Sequence, residues 1–180
     1  MQEANVPRAV AAGFIATIVT EVLMYIGGGL GFAIWNLAGI TGSALGFGKG
    51  AQAGFNEFVE PLGALWLWGL ACNLVFMIFV APLCYGIWSY NWLRGPNWFR
   101  GVQVGWFIWF VQQMLFMPLV GTGVFDRSGP DTGVEIISWF VLWTIYGFVL
   151  GAAAGPQRIW RSYLEEHPEH SHQWPHVHMH

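Results

Sequence analysis

The apolar residues of this chain are gathered into runs of roughly 20 or more, the length an α-helix needs to cross about 30 Å of hydrocarbon. One of them, "LGALWLWGLACNLVFMIFVAPLCYGIWSY", contains no Asp, Glu, Lys or Arg. Hydrophobic residues make up 55% of the 180 and charged residues only 9%, against about a quarter charged in an ordinary soluble domain. So little charge cannot cover a water-facing surface. The fold class these runs predict is an all-α integral membrane protein.

Four transmembrane helices are expected, over about Val6 to Leu30, Leu62 to Tyr90, Trp98 to Leu119 and Val134 to Ala154. Residues 1–156 then form a four-helix transmembrane domain and 157–180 a His-rich tail. The first apolar run is longer than the roughly 7–15 residues of a signal-peptide core, so it reads as a retained anchor. Four crossings put both termini on one side. Arg8, Arg94, Arg100, Arg158 and Arg161 flank the helices on that side, and only Lys49 and Arg127 lie on the other. The positive-inside rule therefore predicts cytoplasmic N- and C-termini.

The outer connection between the first two helices, "GFAIWNLAGITGSALGFGKGAQAGFNEFVEP", is too apolar for a free linker and too broken by glycine for a span. Its Phe, Ile, Leu and Trp side chains suit a segment lying on the membrane surface or under a neighbouring subunit. Of the 12 tryptophans, Trp66, Trp68, Trp88, Trp92 and Trp98 fall where aromatic belts form. Trp106, Trp109 and Trp143 fall deeper, where an indole N–H needs an acceptor or a bound cofactor.

Small residues mark close helix contacts. Gly147, Gly151 and Gly155 recur every fourth residue in "YGFVLGAAAGP", a stripe that lets another backbone approach. Gly27 with Gly31 and Gly101 with Gly105 repeat the spacing once each. Polar residues fall at one depth in the spans. Glu21 is the one carboxylate well inside a predicted helix, and Asn73, Gln112 and Gln113 lie at about its level, with Ser138 and Thr144 to either side. Such a layer serves as interhelical glue, or as a proton-transfer station or a contact for a quinone head group.

Chemistry-bearing motifs are few. Every one of the 6 histidines lies in the closing stretch "EEHPEHSHQWPHVHMH". The spans thus lack the usual axial ligand of haem b and the ligands of a haem–copper centre. No cofactor held by the chain's own ligands is expected, though contacts to lipid, quinone, or a neighbouring subunit's haem or pigment are compatible with it. Cys72 and Cys84, twelve residues apart on one predicted helix, stand about 18 Å from each other and cannot form a disulfide together. No nucleotide fingerprint or Ser-His-Asp set appears, and a net charge of −3 offers no basic stripe to nucleic acid.

In the tail, His176, His178 and His180 alternate, which on an extended segment puts all three on one side as a weak nickel, copper or zinc grip. The alternatives are a solvated polar tail and docking on a neighbouring subunit's cytoplasmic surface through Trp174 and Pro175. Docking is the preferred reading.

"FVQQMLFMPLVGTGVF" and "WTIYGFVLGAAAG" carry a pattern that resembles a family of small four-helix bacterial inner-membrane proteins of uncharacterised function. The matching residues are Met117, Pro118, Leu119, Gly121, Gly123, Phe125, Tyr146, Gly147, Gly151 and Gly155. Members of that family often occur beside respiratory oxidase components, and the resemblance implies an accessory subunit. A His that the pattern leads one to expect near the outer part of the second helix is missing from "LWLWGLACNLVF", with Asn73 in the equivalent place.

The expectation is thus a non-catalytic subunit of a larger membrane complex, electron-transfer or respiratory, packing against larger cofactor-bearing subunits in the lipid bilayer. The competing readings are a small metal-ion or proton transporter whose tail collects metal, and a quinone-binding membrane protein.

Overall fold

The computed structural model describes residues 6–29, 41, 64–89, 92–120, 124–125 and 132–155. Among them there is helix and turn and no strand. Helix α1 is Val6–Gly29, α2 runs over 64–89 and α3 over 97–120 as continuous helical paths, and α4 is Thr132–Ala154. The His-rich tail, with His176, His178, His180, Trp174 and Pro175, lies outside the described residues, as does the Gly-rich connection apart from Thr41.

Among the described residues, three segments are long and apolar enough to span a bilayer: Val6–Met24, Leu67–Gly86 and Gly133–Ala154. Helix α3 is comparable in length but more polar, because it carries Asn97, Arg100, Gln103, Gln112 and Gln113. Large apolar side chains face outward on all four helices: Phe14, Ile18 and Ile26 on α1, Val75 and Phe79 on α2, Phe107 and Leu115 on α3, Ile137 and Phe148 on α4. An apolar exterior on every side is the surface that hydrocarbon, not water, would solvate.

Helix α4 is the hub, packed most extensively against α3 and next against α1. Its contact with α3 is built on glycine. A methyl group at Gly101 would stand 2.6 Å from the Gly151 nitrogen and 2.7 Å from its Cα, and one at Gly147 would stand 2.9 Å from the Gly101 carbonyl carbon. Gly105 fits in the same way against the backbone of Trp143. With no side chain between them, the two backbones touch over two turns, and dispersion supplies the association that water would otherwise drive.

Gly155, the third member of the stripe, does something else. At φ +61° it ends α4 in the left-handed conformation that favours glycine, and a side chain there would collide with the Arg8 guanidinium. A cation over the C-terminus of α4 also suits the helix dipole. A methyl group at Gly27 would meet nothing within 4 Å, and Gly31, which shares its spacing, lies outside the described residues.

Helix α1 offers a face of small residues, Ala9, Ala12, Ala16, Thr17 and Thr20, all buried. The two threonine hydroxyls donate within their own helix, Thr17 to the Gly13 carbonyl at 2.8 Å and Thr20 to that of Ala16 at 2.7 Å, so burying them leaves no donor unsatisfied. Gly13 lets α1 close on α2 at Pro82. The contacts of Gly13 with Pro82 and Ala9 with Gly86, and of Gly101 with Gly151 and Gly105 with Trp143, make α1 antiparallel to α2 and α3 antiparallel to α4. Between α2 and α3 the chain turns through Gly95 at φ +102°, and the Pro96 carbonyl accepts the Phe99 and Arg100 amides at 3.0 Å to start α3.

Candidate functional site

Helices α2 and α3 each widen at the same point in a shared local pattern, V-x6-P-L, read as Val75 to Leu83 and Val111 to Leu119. In each, five residues form a π turn, Phe76–Val80 and Gln112–Phe116, one residue before the proline follows, and the helix then resumes. Helix α2 widens again over Cys84–Ser89, where there is no proline, but at the two shared sites the proline favours the widening. It has no N–H to give and its ring crowds the turn before it.

The widened turns leave specific carbonyls in need. In α2 the Ala81 N–H goes to the Phe76 carbonyl, and Pro82, next in line, offers nothing to Met77. The Tyr146 hydroxyl of α4 fills that vacancy, donating to the Met77 carbonyl at 2.6 Å. In α3 the Met117 N–H goes to Gln112, and Pro118 leaves the Gln113 carbonyl without a helical donor. The Phe125 N–H takes that role at 3.3 Å, with Phe125 at φ 60° and its ring 6.2 Å from that of Trp109. Buried carbonyls demand partners, and here the partners tie α2 to α4 and the outer turn to α3.

Between the widened stretches of α2 and α3 lies a half-open cavity of about 470 Å³. Helices α2 and α3 touch chiefly near Tyr85, whose hydroxyl donates to the Asn97 carbonyl at 3.4 Å, and part beyond it. The walls are apolar, with Phe76, Val80, Phe107, Ile108 and Phe116 among them, and Trp143 of α4 also lines the space. Sealed and empty, such a volume would cost on the order of 10 kcal/mol, about the whole stability of a domain. A cavity of this size and lining has the character of a small-molecule site.

Two amides stand on its wall. Gln112 is buried, and its Oε1 accepts from the Trp143 indole; its Nε2 has no partner among the described residues. Because an indole N–H only donates, the amide is held with its NH₂ group unpaired. Asn73 receives the Thr41 hydroxyl on Oδ1 at 3.1 Å, and its Nδ2 is likewise buried and without a partner among the described residues. Both cysteines, Cys72 and Cys84, are free thiols on the same wall.

The other polar residues singled out from the sequence are placed elsewhere. Gln113 is wholly buried with neither amide atom partnered among the described residues, but it is off the cavity wall. Thr144 accepts the Trp106 indole at 3.0 Å and donates to the Phe140 carbonyl at 2.7 Å. Glu21 is half-buried at the edge of the α1 packing face. The polar residues are therefore separate local contacts, of which only Asn73 and Gln112 share a cavity. Of the deeper tryptophans, Trp106 and Trp143 find protein acceptors, while the Trp109 indole is buried without one among the described residues.

The class these features define is a helical membrane protein with an apolar, amide-bearing cleft at the depth of the Leu67–Gly86 span. No family model, curated protein or solved structure matches the chain.

Proposed function

We propose that the chain is a four-crossing, non-catalytic subunit of a larger bacterial membrane complex of electron-transfer or respiratory type, with both termini in the cytoplasm. The observation that carries this reading is Glu21. It lies within the Val6–Met24 span, half-buried, between outward-facing Ile18 and Val22, and no described residue bonds to its carboxyl. A carboxyl group at that depth needs a donor that lipid tails lack. A second subunit seated against α1 supplies one.

The antiparallel packing of α3 along α4 supports counting α3 as the fourth crossing despite its polar residues, since Gln112 and Gln113 are buried within the bundle. Transport has less support. Glu21 is not on the wall of the cavity that holds Asn73 and Gln112, so these residues do not line one path.

The test is purification through an affinity tag on this chain in mild detergent, followed by mass spectrometry of the intact assembly. Stoichiometric recovery with larger subunits is expected, and Glu21→Leu should loosen that association. Recovery of a stable lone protein refutes the assignment.

A further inference from the structure

We infer that the cavity between α2 and α3 is a binding site for an apolar amphiphile read through its carbonyl oxygen, with a quinone ring or a lipid ester as its two sources. The inference is independent of whether the chain works inside a larger complex.

Three observations converge. The first is the fixed polarity of the wall. Trp143 commits the Gln112 oxygen as an acceptor, so what Gln112 presents beyond that bond is an N–H donor. Gln112 is 7% exposed, and its unpaired Nε2 is out of reach of bulk water. Asn73, with Oδ1 engaged by Thr41, adds a second unpaired donor. A ligand that satisfies this wall must bring acceptors, and a carbonyl oxygen is the acceptor that an otherwise apolar molecule can carry into hydrocarbon.

The second observation is the shape and chemistry of the rest of the cavity. Phe76, Phe107, Phe116 and Trp143 contribute ring surfaces to a space of about 470 Å³, room for a ring with the start of a tail or for part of an acyl chain. Aromatic walls suit a flat ring. The third is the pair of π turns. Both helices are widened where they line the cavity, at Phe76–Val80 and Gln112–Phe116, and each widened turn contributes wall residues. Such turns recur at functional sites because they move side chains off the helical register.

The two cysteines report occupancy without any substitution, since both line the cavity and both are free. The full chain, with whatever subunits accompany it, is purified in dodecyl maltoside, a detergent without a carbonyl group, and its thiols are labelled with a small maleimide. Three probes are compared: a fully methylated benzoquinone, which cannot add thiols at the ring; a short-chain diacyl phosphatidylcholine; and dodecane.

Labelling slowed several-fold by the quinone, or by the ester lipid, but not by dodecane is the expected result, and whichever probe protects identifies the source. Asn73→Leu and Gln112→Met should each raise the half-protecting concentration about 3–10-fold, the equivalent of one hydrogen bond. Protection by dodecane equal to that by the carbonyl probes overturns the proposal, as does the absence of protection by all three. So does protection by the carbonyl probes that is unchanged in both amide variants. The dodecane comparison uses the unaltered protein and decides the matter even where the variants do not fold.

Discussion

Gly101→Ala is the most direct probe of the contact between α3 and α4. The new methyl would stand 2.6 Å from the Gly151 nitrogen and 2.7 Å from its Cα, roughly 1 Å inside ordinary carbon contact. Every atom it meets is backbone, so no side chain can swing away. The helices must part by about that distance, and a gap of that size forfeits a quarter to a half of each dispersion contact it opens. Overpacking of this kind costs about 1–3 kcal/mol, and the upper end applies because the strain falls on backbone. Alanine returns about 1 kcal/mol of helix propensity, leaving a net loss of about 2 kcal/mol. The assay is reversible unfolding in mixed micelles followed by helicity, and Gly27→Ala serves as the control. Gly27 has nothing within 4 Å of the added methyl, so that variant should equal or slightly exceed the wild type. If Gly101→Ala is as stable as Gly27→Ala, the backbone seam does not hold these helices together.

Further outcomes follow from the same geometry. Tyr146→Phe removes the donor to the Met77 carbonyl and leaves that group buried, at a cost of about 1–3 kcal/mol in the same unfolding assay. Trp143→Phe removes the partner of Gln112 Oε1; a loss in the same range is expected, and Gln112→Leu introduced with it should recover part of that loss because no orphaned amide remains. Pro118→Ala restores an N–H that can serve the Gln113 carbonyl, so the Phe125 amide should exchange its hydrogen faster than in the parent protein. Thiol titration of the unfolded protein without reductant should find both cysteines reactive, since Cys72 and Cys84 are free.

The membrane class and the helical segments were legible because charge-free length is a physical requirement of spanning hydrocarbon, and Leu67–Gly86 meets it without help from neighbours. The glycine stripe was half legible. Gly147 and Gly151 were visible as a packing face, but that Gly101 and Gly105 are its partner depends on which helices become neighbours, and four-residue spacing carries no such information. Gly155 shared the spacing and proved to be a helix terminator. The polar residues looked like a single layer because depth can be counted along a helix, whereas rotation about its axis cannot be counted past a widened turn. Asn73 and Gln112 share a wall because of the faces that α2 and α3 turn toward each other, and spacing along either helix carries no such information. The signal that would have found the cavity was present in the repeat of Val75 to Leu83 in Val111 to Leu119, with its two prolines.

The residue that the π turn Phe76–Val80 inserts makes α2 vulnerable to a single deletion. Removing one residue from Phe76–Val80 would let the helix close into regular α geometry, and everything after it would rotate by about 100° and retreat by about 1.5 Å. Tyr85 would leave the core, where it is wholly buried, and would lose Asn97; Pro82 would turn away from Gly13. A change that shortens the helix by one residue and leaves every other side chain as it was would therefore disassemble two interfaces at once. In this protein the count of residues between Val75 and Pro82 is as much a part of the design as their identity.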